Sequence, residues 1–249
     1  MRSIVQPGSQ AEQAGRLLLA GVVVIFLPQL PFGNFVAYPF TILTTWFHEM
    51  GHGLTAMLLG NSFERLVILP SGSGYALSSV ANDASALERA AIAAGGPIAP
   101  SLFGAALILA SARPSQWKPA FYILAGVMGL SVLIWVRSWI GWVVLPALGG
   151  LFLWIAHAAG PALKRFALQF LGLLAALSMF RDWDYLFSRS ATIDGQVMLS
   201  DTGAIAVQLP GPYWFWAGVI IAVSGMIVGL SLKFALASHA RPQTGWRPR

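Results

Sequence analysis

The strongest constraint on this chain is a succession of apolar runs, each near the length of a bilayer crossing, with the charges confined largely to the joints. The runs fall at 17–32, 38–59, 90–111, 120–136, 139–156, 166–180 and 213–237. A helix rises about 1.5 Å per residue and the hydrocarbon core is about 30 Å thick, so roughly 17–25 apolar residues cross it. Only 10% of the 249 residues are charged and 57% are hydrophobic, whereas a soluble domain carries about 25% charge. Too few solvated groups remain to cover a soluble globule. The expectation is an all-α polytopic membrane protein with six to seven transmembrane helices, six if 120–156 is not a simple hairpin around Arg137-Ser138.

The net charge of +6 would suggest nucleic acid in a soluble protein. Here the bases sit in loops and tails, notably Arg241, Arg247 and Arg249, where topology and lipid headgroups account for them; the bilayer, not nucleic acid, is the expected partner. Ten Trp and five Tyr suit interfacial anchoring. The chain has no Cys, so any metal must be held by nitrogen and oxygen. The polar N-terminal tail 1–16, with Arg2 and Arg16, resembles a signal-peptide start. No small-x-small cleavage site follows the run, and Pro28, Pro31 and Phe32 come instead, so a retained span is expected. Residues 1–249 read as a single membrane-embedded domain with a basic tail at 238–249. Basic residues at both ends favour one shared side, hence an even number of crossings. No separate soluble domain is expected, so control would come from a regulatory membrane partner.

Inside the second run stands Phe47-His48-Glu49-Met50-Gly51-His52-Gly53. His48 and His52 are one helical turn apart, so both imidazoles leave the same face, as one metal ion requires. Glu49 between them matches the His-Glu-x-x-His arrangement in which a glutamate acts as general base beside zinc. Residues 38–59 carry no other charge. An unpaired carboxylate there would cost several kcal/mol, which argues for a metal site rather than a solvated helix face.

Residues 61–89 form the longest polar segment of the first half. Phe63–Leu69 reads as a strand and Pro70-Ser71-Gly72-Ser73-Gly74-Tyr75 as a turn, since Gly72 and Gly74 can take positive φ, so a short β-hairpin after the motif helix is expected. An exposed edge there could hold a peptide by strand addition. The next run opens with Ala94-Gly95-Gly96-Pro97-Ile98-Ala99-Pro100, which either breaks the helix or lets another backbone approach closely. Residues 188–212 are polar and Gly-containing, with Ile193-Asp194-Gly195 in a polar loop.

A catalytic zinc usually takes three protein ligands. Asp182 and Asp184, at the end of the 166–180 run, are the acids placed to reach a metal among helices. His157 is a weaker option at a span boundary, and His239 lies in the basic tail.

The motif in a span, the glycine turn and the Ala94-Gly95-Gly96-Pro97 element together resemble the site-2-protease family of intramembrane zinc metalloproteases, more narrowly its bacterial peptidase M50B-like branch. The resemblance covers about residues 28–210. Ala99 and Pro100 depart from the small residue and Asn that usually continue the Ala-Gly-Pro element, and no Leu-Asp-Gly stands in a span. The resemblance implies Asp184 as third ligand with Asp182 second, and Ser200-Asp201 matches a downstream Ser-Asp element to which no role is assigned. It further implies a bacterial inner-membrane protein holding Zn2+ through His48, His52 and that aspartate. Glu49 would act as general base on zinc-bound water, hydrolysing a transmembrane protein or peptide substrate that is unwound and extended along Gly72, Gly74, Gly95, Gly96 and Pro97. Water would enter from the 61–89 side. The competing classes are a non-catalytic or regulatory zinc-binding protein, which needs no base, and a metal transporter, which needs more acids or histidines along a path.

Overall fold

The computed structural model describes residues 10–237, the side chains of residue 10 and residues 179–181 apart. Readings of Arg2, His239, Arg241, Arg247 and Arg249 lie outside those residues. The elements are α1 (Gln10–Phe26), a 3-10 turn (Leu27–Gln29), α2 (Gly33–Leu58), β1 (Ser62–Ile68), β2 (Gly74–Ser79) and α3 (Ala86–Ser111). There follow α4 (Pro114–Ile134), α5 (Trp139–Ala158), α6 (Pro161–Arg181), α7 (Trp183–Leu186), β3 (Ser190–Ile193), β4 (Gln196–Leu199), α8 (Asp201–Gln208) and α9 (Tyr213–Ala237).

Six described helices are long and apolar enough to cross a membrane, one fewer than the seven apolar runs: 120–156 is a simple helical hairpin, α4–α5, and the run that drops out is 38–59, carried by α2. At 26 residues, α2 is also long, but His, Glu, Gly and Thr dilute its apolar character. It is sheltered by protein instead, with Ile42, Leu43, Trp46 and Phe47 fully buried. Helices α1, α2, α3, α4 and α6 start earlier than their apolar runs do. Pro114 and Pro161 open α4 and α6, where a missing N–H costs nothing. Ser85 caps α3 by accepting the Glu88 N–H, a capping-box spacing. Leu18, Leu133, Trp139, Trp154, Met226 and Phe234 are exposed and suit a lipid-facing surface.

Small residues set the helix contacts. A Cβ on Gly104 would meet the Gly172 carbonyl at 2.6 Å, and one on Gly172 would meet Ile108 at 2.8 Å, so α3 and α6 run antiparallel with touching backbones. The start of α1 lies beside the start of α6, where Glu12 pairs with Arg165 at 3.6 Å and with Arg16 at 2.7 Å. Ala235 near the end of α9 clusters with Ile108 and Ala112 near the end of α3. The described chain therefore begins and finishes at the same end of the bundle, as an even number of crossings requires.

β1 and β2 form the antiparallel hairpin expected after the motif helix, with Leu66 opposite Ala76 and Ile68 opposite Gly74. β1 is tied on its other edge to the α4–α5 joint, through Leu66 N–H to Trp135 O and Arg137 N–H to Leu66 O, both 2.8 Å. Tyr38 and Thr45 of α2 donate to the Pro70 and Gly72 carbonyls, which pins the turn along the motif helix. The polar residues 188–212 hold a second hairpin, β3–β4, whose turn is the Asp194-Gly195 loop, and the short helix α8.

Candidate metal centre

α2 delivers His48 and His52 from one face, as their spacing predicts. His52 Nδ1 donates to the Ile92 carbonyl of α3 at 2.8 Å. That bond orients the ring and leaves Nε2 with its lone pair free for a metal. The ring fits because residue 96 is glycine: a Cβ there would lie 2.1 Å from His52 Nε2. Gly95 meets the Gly51 carbonyl and Thr55 in the same way. Of the two outcomes expected for this glycine–proline element, the close approach is realised; α3 runs unbroken through Pro97 and Pro100.

The carboxylate brought to the two histidines is Asp201, not Asp184 or Asp182. Among the described residues, His48, His52 and Asp201 are the group of ligating side chains brought together, their atoms within 4.8 Å of one another. Asp182 and Asp184 are exposed; Asp182 reaches the cavity wall, and neither joins the histidines. The apolar helix ends too early, and the chain returns through the second hairpin to bring a later acid inward. Ser200 caps α8 by accepting the Gly203 N–H at 3.0 Å, and Thr202 donates to the Leu186 carbonyl at 2.7 Å. A Cβ on Gly203 would strike the Arg189 carbonyl at 2.1 Å. Asp201, on the first turn of α8, is thereby held 7% exposed. The signal available in the sequence was Ser200-Asp201-Thr202-Gly203, a capped helix start followed by apolar residues.

The donor set fits a metal. Asp201 Oδ2 lies 3.0 Å from His48 Nε2, Asp201 Oδ1 lies 3.2 Å from His52 Nε2, and the two Nε2 atoms are 3.2 Å apart. A tetrahedral ion with bonds of about 2.0–2.1 Å has ligand–ligand edges of about 3.3–3.4 Å, close to this triangle. Asp201 Oδ2 is buried without an aligned hydrogen-bond donor, the state of a carboxylate oxygen built for a cation. Burial alone would raise the Asp201 carboxyl, but His52 and His48 hold it well below the usual carboxylate range.

Glu49 projects beside this triangle, 6% exposed, with the Ala76 N–H of β2 facing its carboxylate. Leu66 spends its backbone groups on the α4–α5 joint, so the Leu66–Ala76 pair is a non-hydrogen-bonded one and Ala76 turns its own N–H outward. Gly74 sits against Glu49: a Cβ would meet Val67 O at 2.8 Å, Thr45 at 2.9 Å and Glu49 Cγ at 3.3 Å. Gly72 takes the positive φ expected of it, 91°, whereas Gly74 is required by crowding.

A cavity of about 380 Å³ opens onto His48 and Glu49. Its walls include the hairpin turn Ser71–Gly74, Pro97 and Pro100 of α3, Tyr185 and the β3 residues Ala191, Thr192 and Ile193. Tyr185 also faces the Asp201 carboxylate. Gly72, Gly74 and Pro97 thus stand on the cavity wall; Gly95 and Gly96 do not, because the α2–α3 contact uses them.

A two-histidine, one-carboxylate face with a glutamate beside it can hold a divalent ion and move a proton next to it. No curated protein and no solved structure matches the chain. The family model described as Peptidase M50B-like matches residues 17–231, a span containing the motif, both hairpins and Asp201. This integral membrane protein belongs to the peptidase M50B-like branch of the site-2-protease family.

Proposed function

We propose that the chain is a zinc-dependent intramembrane protease of the bacterial cytoplasmic membrane that hydrolyses peptide bonds of membrane-embedded protein or peptide substrates. The observation that carries this reading is Glu49, whose carboxylate lines the same cavity as His48, directly beside the His48–His52–Asp201 triangle. A structural metal needs no base and usually closes its coordination with a fourth protein ligand; among the described residues three ligands converge here.

His48, His52 and Asp201 would hold the zinc, which when bound supplies a Lewis acid for a peptide carbonyl and acidifies water. Glu49 takes the proton of the attacking water and returns it to the leaving amine. The Ala76 N–H keeps the Glu49 carboxylate aimed into the cavity. A helical substrate hides its carbonyls in its own hydrogen bonds, so the scissile stretch is extended. The turn Ser71–Gly74 and Pro97 form walls for it, and water enters from the hairpin side. Control by a second membrane protein belongs to the same reading.

The test is Glu49→Gln with a transmembrane peptide as substrate. Cleavage should fall about 10²–10⁴-fold with zinc content unchanged. A wild-type cleavage rate would remove Glu49 from the role of base.

A further inference from the structure

The second hairpin is placed where a connector has no need to be. Ala191, Thr192 and Ile193 all line the cavity that holds His48 and Glu49. Side chains of consecutive strand residues point to opposite faces, so three in a row mean that β3 presents an edge to the cavity. One edge of β3 is paired with β4. The edge that faces the cavity is the free one.

The register identifies the backbone groups on that edge. Asp194 and Gly195 have φ of 53° and 74°, a two-residue turn of the primed type, with Ile193 opposite Gln196. That closing pair is hydrogen-bonded, and hydrogen-bonded pairs then alternate along the ladder. Ala191–Met198 is the next such pair, and the Ser200 N–H donating to the Arg189 carbonyl at 3.1 Å continues the series. Thr192, opposite Val197, falls between them. Its N–H and C=O therefore point away from β4. Among the described residues no backbone group takes them up.

We propose that the free edge of β3, through the N–H and C=O of Thr192, is a strand-addition site that holds the extended substrate segment in the cavity opposite the Ser71–Gly74 turn. This rests on the protease reading, since that chemistry needs an extended backbone next to Glu49. Main-chain pairing of this kind supplies affinity with little dependence on side chains. The lining residues include Glu49 and Asp182 and no Lys or Arg, so an acidic segment is disfavoured and an uncharged one can be seated.

The experiment uses zinc-loaded full-length protein and two probes: acetohydroxamate, and an uncharged acyl-Ala-Thr-Ala peptide hydroxamate that extends into the cavity. The wild type should bind the peptide probe at least tenfold more tightly. Thr192→Pro removes the outward N–H and should lose about 5–10-fold of that gain, the share of one hydrogen bond, while binding acetohydroxamate as before. Val197→Pro, its counterpart on the far edge of β4, should keep the gain. In the wild type, hydrogen exchange at the Thr192 amide should slow with the peptide probe and not with acetohydroxamate, which decides the matter even where Thr192→Pro fails to load zinc. Equal gains in both variants, or unslowed exchange at Thr192 with the peptide probe bound, overturn the β3 site and leave the protease reading standing. Failure of the zinc-loaded wild type to bind either hydroxamate overturns that reading, and the β3 site with it.

Discussion

Removing His48, His52 or Asp201 one at a time, each to Ala, should strip zinc from the purified protein. Loss of an outer-shell partner alone costs about 10–100-fold in metal affinity, and loss of one of three ligands should cost more. Asp182→Ala and Asp184→Ala should retain full zinc, because neither carboxylate joins the triangle. Metal analysis of the five variants checks this; zinc lost with Asp184 and kept without Asp201 would reverse the assignment. The histidines and Glu49 were legible in the sequence because a four-residue spacing on a helix is local geometry. Asp201 was not, since its approach depends on a hairpin and on the Gly203–Arg189 contact, neither of which has a period in the sequence.

The α2–α3 crossing is the element that shapes the site. A methyl group on residue 96 would occupy the place of the His52 ring, 2.1 Å from its ligating nitrogen. Gly96→Ala should therefore lower zinc affinity together with stability, the latter by about 1–3 kcal/mol as overpacking does. Gly218→Ala on α9, where a Cβ meets nothing within 4 Å, should leave zinc content unchanged and help the helix by up to about 1 kcal/mol. Zinc titration and thermal unfolding of the two variants separate these outcomes. The Gly95-Gly96-Pro97 cluster signalled close approach without saying what approaches. The neighbour is a histidine ring and a helix backbone, contributed by residues some forty positions earlier in the chain.

Across the whole molecule, the starts of α1 and α6 and the α3–α4 joint share one end, and both hairpins belong to segments at the other. The chain has no Cys, so single-Cys variants report without background. Cysteines at Gln10, Ser115 and Ala162 should react with an impermeant thiol reagent from one side of the membrane, and those at Asp83 and Asp194 from the other. Labelling of Ser115 and Asp83 from the same side would contradict this arrangement. The sequence by itself determined the membrane setting, six of the seven expected crossing helices and the paired histidines with their glutamate. Those follow from segment length against bilayer thickness and from the helical period, which neighbouring residues along the chain decide. Only the tertiary structure decided which aspartate joins the two histidines and that β3 borders the cavity. Both depend on contacts between segments more than a hundred residues apart, set by touching glycines and capped helix starts rather than by any repeating pattern.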